Sequence, residues 1–502
     1  MAKMDLRDFI GKLKEAGELK EIDREVHWNL EASAIAAMSA ITGGPGVLFN
    51  NISGYEEGRL ASGLFSGPQE QFWRRYNIIL NLHPDASYED FMYEYIARLG
   101  NPINPTQVDR GPCKEVIKIG KDVNLFDFPW PYLHYGDGGR YGTILSLITK
   151  DLNTDWVNWG NYRCLILGKN KLTFLMSKGQ QAGIMFYQKY EPANKPMPFA
   201  IAIGGDPVYF IAAAVALPEG TNEVNVAGGI RDAPVELVKC ETNDLLVPAD
   251  SEIVIEGVVQ PHKRVDEGPF GEYFGFIHGP RMPMPLFEVH CITHRKNPIM
   301  PFVCEGITGT DGQTLVSTIW SITPFGYLRL QKGYPVKSFW IPREVAYDLF
   351  ICGLDQDRLT PGVVKEIMDT VYSAGTNAHL DYMAFMDGDV DIKDFSRFVE
   401  DWTTKMHPKN DFLKTDWNMP KVTLTVFLSP EEKKIGLDSK HAFDCTTKDW
   451  KERKGPKRIN FESLYPEEMY ESIVGKWNAL GLEEKAKLQK VKELDLFIPG
   501  MT

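Results

Sequence analysis

Prolines divide the region between Cys113 and His294 into short pieces, and this pattern constrains the fold more than any other feature of the chain. Because proline lacks a backbone N–H and ends helices within a few residues, long helices are excluded here. The intervening segments, such as Phe199–Ile203 and Glu252–Val259, alternate or run apolar as strands do. We therefore predict a β-rich, barrel-like domain at residues 111–310. The prolines in this region include Pro129, Pro131, Pro218, Pro269 and Pro283.

Helical patterns flank this region on both sides. Asp5 can cap a helix whose apolar residues share one face, and the sequence after Gly17 is typical of a strand. Residues 1–110 are therefore predicted to form an α/β segment. Farther along the chain, Pro361–Tyr372 is predicted to be a helix and Val422–Leu428 a buried strand, which again indicates an α/β arrangement.

The C-terminal part, residues 311–502, is predicted to contain a linker helix, the α/β arrangement and a last helix. That helix begins at Pro466 and ends at Gly481. Its apolar face either packs on a neighbouring subunit or docks on its own chain. The face consists of Met469, Ile473, Trp477 and Leu480.

Composition excludes several classes of function. A formal net charge of -13 argues against a nucleic-acid partner, because binding DNA or RNA needs a basic surface. The seven cysteines are odd in number and never spaced as CxxC, so we expect reduced thiols rather than disulfides or a zinc site. The first residues lack the apolar core of a signal peptide, and the longest apolar run is too short for a membrane helix. We expect a soluble, cytoplasmic protein with no membrane partner.

The densest chemical signal is the sequence DEGPFGEYFG at Asp266–Gly275. Glu267 and Glu272 flank a turn whose glycines allow a sharp reversal of the chain. Two carboxylates that are held close together and partly desolvated cannot both ionise easily, so one of them becomes a proton donor near neutral pH. Alternatively, the motif is a surface turn with two solvated acids.

A second cluster is VNWGNYR at Val157–Arg163. Asn158 and Arg163 are polar residues in a strand-like, aromatic stretch, and a buried arginine needs a charged partner. Paired with Glu267 and Glu272, Arg163 would form a Glu–Arg–Glu network. An isolated strand arginine is more often a surface residue.

A third cluster is LPEGTNEVNVAGGI at Leu217–Ile230. Glu223 lies among small and apolar residues and before Gly228-Gly229, which we predict to form a turn. It is either buried with a ligand or an exposed loop acid. The chain has no phosphate loop, no GxGxxG after a strand, no HExxH and no GxSxG, which removes the commonest nucleotide-binding, zinc-protease and esterase assignments.

These three clusters, in this order and spacing, resemble the UbiD family of prenylated-flavin-dependent decarboxylases. The resemblance covers most of the chain and includes the blocks FPWPYLHYGDGGRY, NPIMPFVCEGIT and DGDVDIKD. It implies an α+β fold with a β-barrel-like (split-barrel) flavin-binding domain and an α/β oligomerisation domain. It also implies a homodimer or homohexamer.

The resemblance further implies roles for individual residues. Arg163, Glu267 and Glu272 match the catalytic network, with Glu267 as the proton donor to the product carbon. Asn158 and Glu223 match ligands of a divalent metal, Mn or Mg, that bridges the protein to the flavin phosphate. A potassium ion is implied beside Glu223 and the carbonyl groups around Ala212–Val215. Contacts to the prenylated FMN are predicted for Asn158, Asn161, Tyr162, Arg163, Gln180, Gln181 and Glu223.

The chain departs from the family pattern at two places. Gln181 stands where many relatives have a histidine ligand, so the predicted metal ligands are Asn158, Gln181 and Glu223. An amide oxygen suits Mg or Mn better than Fe or Zn. A phosphate-contacting lysine of some relatives has no counterpart in residues 373–379. His379 and Val316 are candidate substrate contacts.

We therefore predict a carboxy-lyase that reversibly decarboxylates an aromatic, heteroaromatic or other α,β-unsaturated acid. Its cofactor would come from a flavin prenyltransferase. Loss of carbon dioxide from an sp2 carbon needs an electron sink that no side chain offers, which is why a cofactor is required. One alternative is an aryl-CoA substrate such as phthaloyl-CoA, with Lys448–Arg458 as a basic surface for its phosphates. The other is a non-catalytic flavin- or metal-binding subunit of a carboxylase complex.

Overall fold

The N-terminal region folds as the sequence predicts. Asp5 caps the first helix by accepting the backbone N–H of Asp8 at 2.8 Å, and its apolar face is buried. The computed structural model describes residues 3–215, 217–279, 281–345, 348–373, 381–389, 391, 393–420, 429, 431–432, 437–447 and 465–480. The N-terminal elements are α1 Leu6–Glu15, β1 Leu19–Ile22, α2 Glu31–Ile41, β2 Gly46–Phe49, β3 Arg59–Ser62, α3 Arg74–Ile79, α4 Tyr88–Leu99 and β4 Thr106–Gln107.

A four-stranded sheet joins this N-terminal region to the middle of the chain. Its order is β1-β2-β3-β18, where β18 is Ile299–Pro301 and pairs in parallel with β3. Asp311 strengthens the same junction, because its carboxylate accepts the backbone N–H groups of Leu64, Phe65 and Ser66. The start and the middle of the chain are therefore packed as one unit at this point.

A larger sheet forms the central region, and it confirms the β-rich prediction. The two long strands β14 and β17 pair antiparallel at its centre, and the path β6-β9-β10-β17-β14-β11-β7-β8 does not close within the described residues. A further strand, β5, pairs with β17. The strands of this sheet are β5 Val116–Ile119, β6 Tyr141–Gly142, β7 Ser146–Lys150, β8 Val157–Gly160, β9 Cys164–Gly168, β10 Lys171–Phe174, β11 Met197–Ile203, β14 Ile253–Glu267 and β17 Met282–His294.

Shorter elements cover this sheet. The helical segments are α5 Gln181–Gly183, continued as a π-helix at Ile184–Tyr190, then α6 Pro207–Ala214 and α7 Glu223–Arg231. A small sheet has the order β13-β12-β4, where β12 is Glu236–Lys239 and β13 is Leu246–Pro248. In addition, β15 Phe270–Gly271 pairs with β16 Ile277–His278.

The prediction of a turn at Gly228-Gly229 is wrong, because both glycines lie inside α7. A β-carbon at Gly228 would come within 2.6 Å of the carbonyl oxygen of Ile103, and one at Gly229 within 2.7 Å of that of Asn101. The glycines therefore serve close packing of the helix on a loop, which a sequence pattern does not distinguish from a turn.

The C-terminal region is α/β, as predicted. Its sheet has the order β19-β20-β21-β25-β22, and β21 ends at Asp387. The predicted strand Val422–Leu428 lies outside the described residues. On the apolar face of the last helix Met469 and Leu480 are exposed, whereas Ile473 and Trp477 are half-buried, so the described part of the chain covers this face only in part. The elements are α8 Asp311–Leu315 with the π-helix Val316–Trp320, α9 Ile322–Phe325 with the π-helix Gly326–Gln331, β19 Val336–Trp340, β20 Leu349–Leu354, α10 Val363–Ser373, β21 Tyr382–Asp387, α11 Phe395–Lys405, β22 Phe412–Lys414, β23 Met419–Pro420, β24 Leu437–Asp438, β25 His441–Asp444 and α12 Glu467–Lys476.

Two further expectations concern the whole chain. All seven cysteines are buried and free, as the composition predicts for reduced thiols. Within the described residues, no helix combines the length and apolar character needed to cross a membrane.

Candidate active site

Three charged side chains that are far apart in sequence meet at the end of the large sheet. Arg163 lies directly before β9, Glu267 is the last residue of β14, and Glu272 immediately follows β15. Strands β9 and β14 belong to the same sheet, linked through β10 and β17, so strand pairing fixes where these residues stand. The structure thus brings together the three residues that the sequence proposed as a network.

Arg163 contacts both carboxylates. Its Nε donates to Oε1 of Glu267 at 2.9 Å and its Nη2 to Oε2 at 2.6 Å, a bidentate pairing. Its Nη1 donates to Oε1 of Glu272. Arg163, Glu267 and Glu272 are 8%, 0% and 5% exposed, so the alternative of a solvated surface turn is excluded.

Burial and the neighbouring charges shift the pKa values of Glu272 and Arg163. It raises the pKa of Glu272, and the charge of Glu267 adds to that rise while Arg163 opposes it, with a net increase. Burial acts to lower the pKa of Arg163, but the hydrogen bond to Glu267 and the two carboxylate charges outweigh it, so the net pKa is raised. The guanidinium therefore stays charged, and the raised pKa of Glu272 disposes this carboxyl group to hold a proton.

Tyr141 completes the polar contacts of Glu267, and the sequence reasoning did not single it out. Its hydroxyl donates to Oε1 of Glu267 at 3.1 Å, and its ring lies 4.5 Å from that of Phe270. The guanidinium carbon of Arg163 lies 5.0 Å from the centre of the same Phe270 ring. Tyr141 stands in the block FPWPYLHYGDGGRY, so the family resemblance marked the segment but not the residue.

Asp137 and His134, which the sequence reasoning also did not single out, support the turn between Glu267 and Glu272. Asp137 accepts the backbone N–H of Gly271 at 2.9 Å through Oδ1, and its Oδ2 lies 3.1 Å from Nδ1 of His134. Nε2 of His134 lies 2.9 Å from the carbonyl oxygen of Glu305. Burial acts to lower the pKa of His134, but its hydrogen bonds with Asp137 and Cys304 outweigh this and raise it to about 10. These contacts connect the turn between Glu267 and Glu272 to the segment that contains Glu305.

The predicted metal ligands Asn158 and Glu223 form a different kind of site. Asn158 lies on β8, and Glu223 begins α7, with its Oε2 accepting the backbone N–H of Trp159 at 2.8 Å. Both side chains are 1% exposed, yet Nδ2 of Asn158 and Oε1 of Glu223 have no hydrogen-bond partner among the described residues. Burial raises the pKa of Glu223 to about 7. Buried polar atoms without partners are rare in folded proteins. Oε1 of Glu223 fits a cation, whereas Nδ2 of Asn158 is a donor and fits a hydrogen-bond acceptor on a ligand.

Gln181 is also available to such a site. Its Nε2 donates to the carbonyl oxygen of Leu217 at 2.8 Å, which leaves the amide oxygen for another partner. Gln180 differs, because it is exposed and its Oε1 accepts the N–H of Ser177 at 2.8 Å. Among the described residues no three His, Cys, Asp or Glu side chains form a metal-binding group. A cation here would therefore depend on amide oxygens as well as Glu223.

The neighbouring residues predicted to contact the flavin are structurally fixed. The backbone N–H of Asn161 donates to the carbonyl oxygen of Ala213 at 3.2 Å, which connects the arginine segment to the end of α6. In the amide orientation that satisfies Asn161, its nitrogen donates to the carbonyl oxygen of Thr143 at 3.0 Å. Tyr162 is buried, which raises the pKa of its hydroxyl to about 12, and it packs edge-on against Phe174.

The two candidate substrate contacts have different outcomes. Val316 begins the π-helix that follows α8, is 7% exposed and is part of the hydrophobic core. His379 lies outside the described residues, and so does Lys448–Arg458, on which the aryl-CoA alternative depended.

Comparison with known proteins places this geometry in a family. Residues 10–95, 106–308 and 314–445 match the N-terminal, Rift-related and C-terminal domains of 3-octaprenyl-4-hydroxybenzoate carboxy-lyase. The pyrrole-2-carboxylic acid decarboxylase of Pseudomonas aeruginosa is 28% identical over 494 residues, which cover 95% of this chain and 98% of that protein.

Solved structures agree with this assignment. The vanillic acid decarboxylase of Sedimentibacter hydroxybenzoicus in its closed form has a TM-score of 0.83 at 26% identity, with 95% of this chain and 99% of that chain covered. The UbiD-class enzyme HmfF of Pelotomaculum thermopropionicum, in complex with FMN, has a TM-score of 0.79 at 25% identity, with 92% and 98% covered. With three consecutive domains matched and the fold shared along nearly its whole length, this chain belongs to the UbiD family of carboxy-lyases.

Proposed function

We propose that this protein decarboxylates an aromatic or heteroaromatic carboxylic acid with prenylated FMN as its cofactor. The observation that supports the proposal is the buried Glu267–Arg163–Glu272 cluster, in which one arginine holds two carboxyl groups out of solvent. A non-catalytic subunit would have no need of such an arrangement, because burying three ionisable groups is costly. The relatives that act on pyrrole-2-carboxylic and vanillic acids support the substrate class.

The proton donor in this proposal is Glu272, whereas the sequence prediction chose Glu267. Glu267 receives two hydrogen bonds from Arg163 and one from the Tyr141 hydroxyl, so both of its oxygen atoms are already engaged as acceptors. Glu272 has a raised pKa and a single contact with Arg163 among these groups. Glu267 therefore anchors the arginine, and Glu272 holds the proton that replaces carbon dioxide on the product carbon.

Asn158, Gln181 and Glu223 would hold a divalent cation, Mn or Mg, beside the flavin phosphate. Their oxygen atoms are the ligands that such hard cations prefer, and Glu223 brings the one carboxylate of the set. A potassium ion near Ala212–Val215 is part of the same proposal. When bound, the prenylated flavin supplies the electron sink for the carbon that loses carbon dioxide. The cofactor would come from a flavin prenyltransferase, and the enzyme would be a homo-oligomer.

Two isosteric substitutions test the proposal. The protein is produced with a flavin prenyltransferase, purified without air, and assayed on a panel of aromatic acids. Glu272→Gln should lower the decarboxylation rate by about 10²- to 10⁴-fold, the usual contribution of a general acid, while the flavin absorbance is retained. Glu267→Gln should lower it by less, because its amide still bonds to Arg163.

The opposite ranking would return the donor role to Glu267. A wild-type protein that carries no modified flavin by mass spectrometry and decarboxylates no acid of the panel would overturn the proposed function. That result would favour the non-catalytic alternative.

A further inference from the structure

Two buried oxygen atoms beside the turn Glu267–Glu272 have no hydrogen-bond partner among the residues that the structure describes. They are Oε2 of Glu305 and Oε1 of Gln313. Gln313 is only 4% exposed, so its side chain is shielded from bulk water. Folded proteins rarely leave a buried acceptor without a donor, and neither atom has a role in the chemistry proposed above.

Both side chains are packed against the proton donor's own segment. Nε2 of Gln313 donates to the carbonyl oxygen of Tyr273 at 2.9 Å, which orients the amide beside Glu272. The residue after Glu305 is Gly306, where a β-carbon would come within 2.6 Å of the carbonyl oxygen of Glu272. The two unpartnered oxygens are therefore attached to the same few residues that carry the catalytic carboxyl group.

Glu305 and Gln313 are also adjacent to each other. A methyl group at Gly312 would collide with the carboxyl group of Glu305, so that carboxyl group lies over the residue that precedes Gln313. Val316 follows Gln313 by three positions in the helical segment, a spacing that puts both on one side of a helix. Gln313 and the candidate substrate contact Val316 therefore lie on one side of this segment, and together with Glu305 we call them the wall beside Glu272.

The two unpartnered atoms of this wall are both oxygen atoms that can accept a hydrogen bond. A carboxyl oxygen and an amide oxygen both accept hydrogen bonds. Burial raises the pKa of Glu305 to about 8, and the charges of Glu272 and Asp311 add to this rise while His134 opposes it. A ligand with an N–H or O–H group would satisfy these acceptors.

We propose that Glu305 and Gln313 determine substrate specificity by accepting a hydrogen bond from a ring N–H or hydroxyl group of the aromatic acid. This inference rests on the proposed function, because it gives these residues a task within the same site. It narrows the substrate class to aromatic or heteroaromatic acids that carry a donor.

Matched acids on the prenylated holoenzyme test the inference. Pyrrole-2-carboxylate is compared with furan-2-carboxylate, which replaces the ring N–H by oxygen, and 4-hydroxybenzoate is compared with benzoate. In at least one pair the donor-bearing acid should have a kcat/KM at least about tenfold higher, as expected for one buried hydrogen bond. The pair that shows the preference identifies the donor as ring N–H or hydroxyl.

Variants then assign the preference to residues. Glu305→Leu removes the acceptor and should abolish the preference, mainly through KM, whereas Glu305→Gln keeps an acceptor and should retain most of it. Gly312→Ala displaces the Glu305 carboxyl group without altering it and should also weaken the preference, which covers the case that Glu305→Leu does not fold. Asp250→Asn is the control, because Asp250 is a carboxyl group elsewhere in the core whose pKa burial raises to about 7. It should leave the preference unchanged.

Binding is measured separately by calorimetry in the Glu272→Gln background, where turnover is suppressed. Equal affinity and equal kcat/KM within both matched pairs, in an enzyme that does decarboxylate, would overturn the specificity proposal and leave the proposed function intact. A preference that survives both Glu305→Leu and Gly312→Ala would overturn the role of Glu305. An enzyme that decarboxylates no acid at all overturns the proposed function itself.

Discussion

The central region contains two groups of buried polar side chains that are satisfied to very different degrees. In the Glu267–Arg163–Glu272 cluster the charges pair within the protein, through a bidentate contact and a further bond to the second carboxyl group. At Asn158 and Glu223, equally buried, one polar atom of each side chain has no partner among the described residues. The difference teaches that the polar groups of the first site satisfy one another within the fold, whereas the second site leaves polar atoms that a bound ligand could satisfy.

In our proposal the wall beside Glu272 belongs with the second group, because Glu305 and Gln313 each have an oxygen atom without a partner among the described residues. If this division is correct, substitutions in the paired cluster should destabilise the protein strongly. Substitutions of side chains with unpartnered atoms should change its stability little and its ligand binding much. Three measurements of the free energy of unfolding test this comparison.

The largest effect is expected for Arg163→Ala. Removal of the arginine leaves Glu267 and Glu272 buried without a counter-charge, which should lower the free energy of unfolding by about 3–5 kcal/mol and abolish decarboxylation. Urea denaturation and the assay above measure the two effects. Arg231→Ala is the matched control, since Arg231 is 3% exposed and contacts Asp206 through two bonds of 2.5 Å.

The control should lose similar stability, but its folded fraction should keep decarboxylating. If Arg163→Ala were as stable as the wild type, the cluster would not be paired in the way described here, and the comparison would fail.

An intermediate effect is expected for Glu305→Gln, and it depends on pH. The folded pKa of Glu305 is raised to about 8 from 4.5, so the folded state keeps a proton that the unfolded state has already lost above about pH 5. Unfolding then releases a proton, and this group therefore lowers stability as the pH rises from 5 to 8. The variant should show a shallower decline than the wild type in urea denaturation at pH 5, 6, 7 and 8.

Other groups share this pH range and set the background slope. Glu272 and Asp311 face Glu305 and raise its pKa, while His134 lowers it. Because those groups are present in both proteins, the difference between the two slopes reports on Glu305. Identical slopes would contradict the assignment of a protonated, buried Glu305.

The smallest effect on stability is expected for Glu223→Gln in the protein without cofactor. Oε1 of Glu223 has no partner to lose, and the amide oxygen can still accept the N–H of Trp159, so the free energy of unfolding should change by no more than about 1 kcal/mol. Metal and flavin content of the protein made with a prenyltransferase should nevertheless fall, because the one carboxylate of the set is lost. Full metal and flavin retention would remove Glu223 from the site.

The sequence by itself determined the local elements and the residue types of the chemistry. The capped first helix, strands such as Phe199–Ile203 and the α/β character of the C-terminal region follow from periodicity and capping, which act over a few residues. The three chemical clusters were visible as unusual polar residues in apolar surroundings. Their assignment to one family came from several blocks in a fixed order, which is information that a single motif does not contain.

Only the tertiary structure decided which polar groups meet and which stay unpartnered. Strand pairing brings Tyr141 to Glu267, although more than a hundred residues separate them in the sequence. Loop packing places the segment of Glu305 beside Glu272. Long-range packing also explains why Gly228-Gly229 lies inside a helix. In our proposal it is the reason why Glu272, and not Glu267, is assigned as the proton donor. The physical reason is that a pKa or an unsatisfied oxygen depends on burial and on neighbouring charge, and both are set by residues that are distant in sequence.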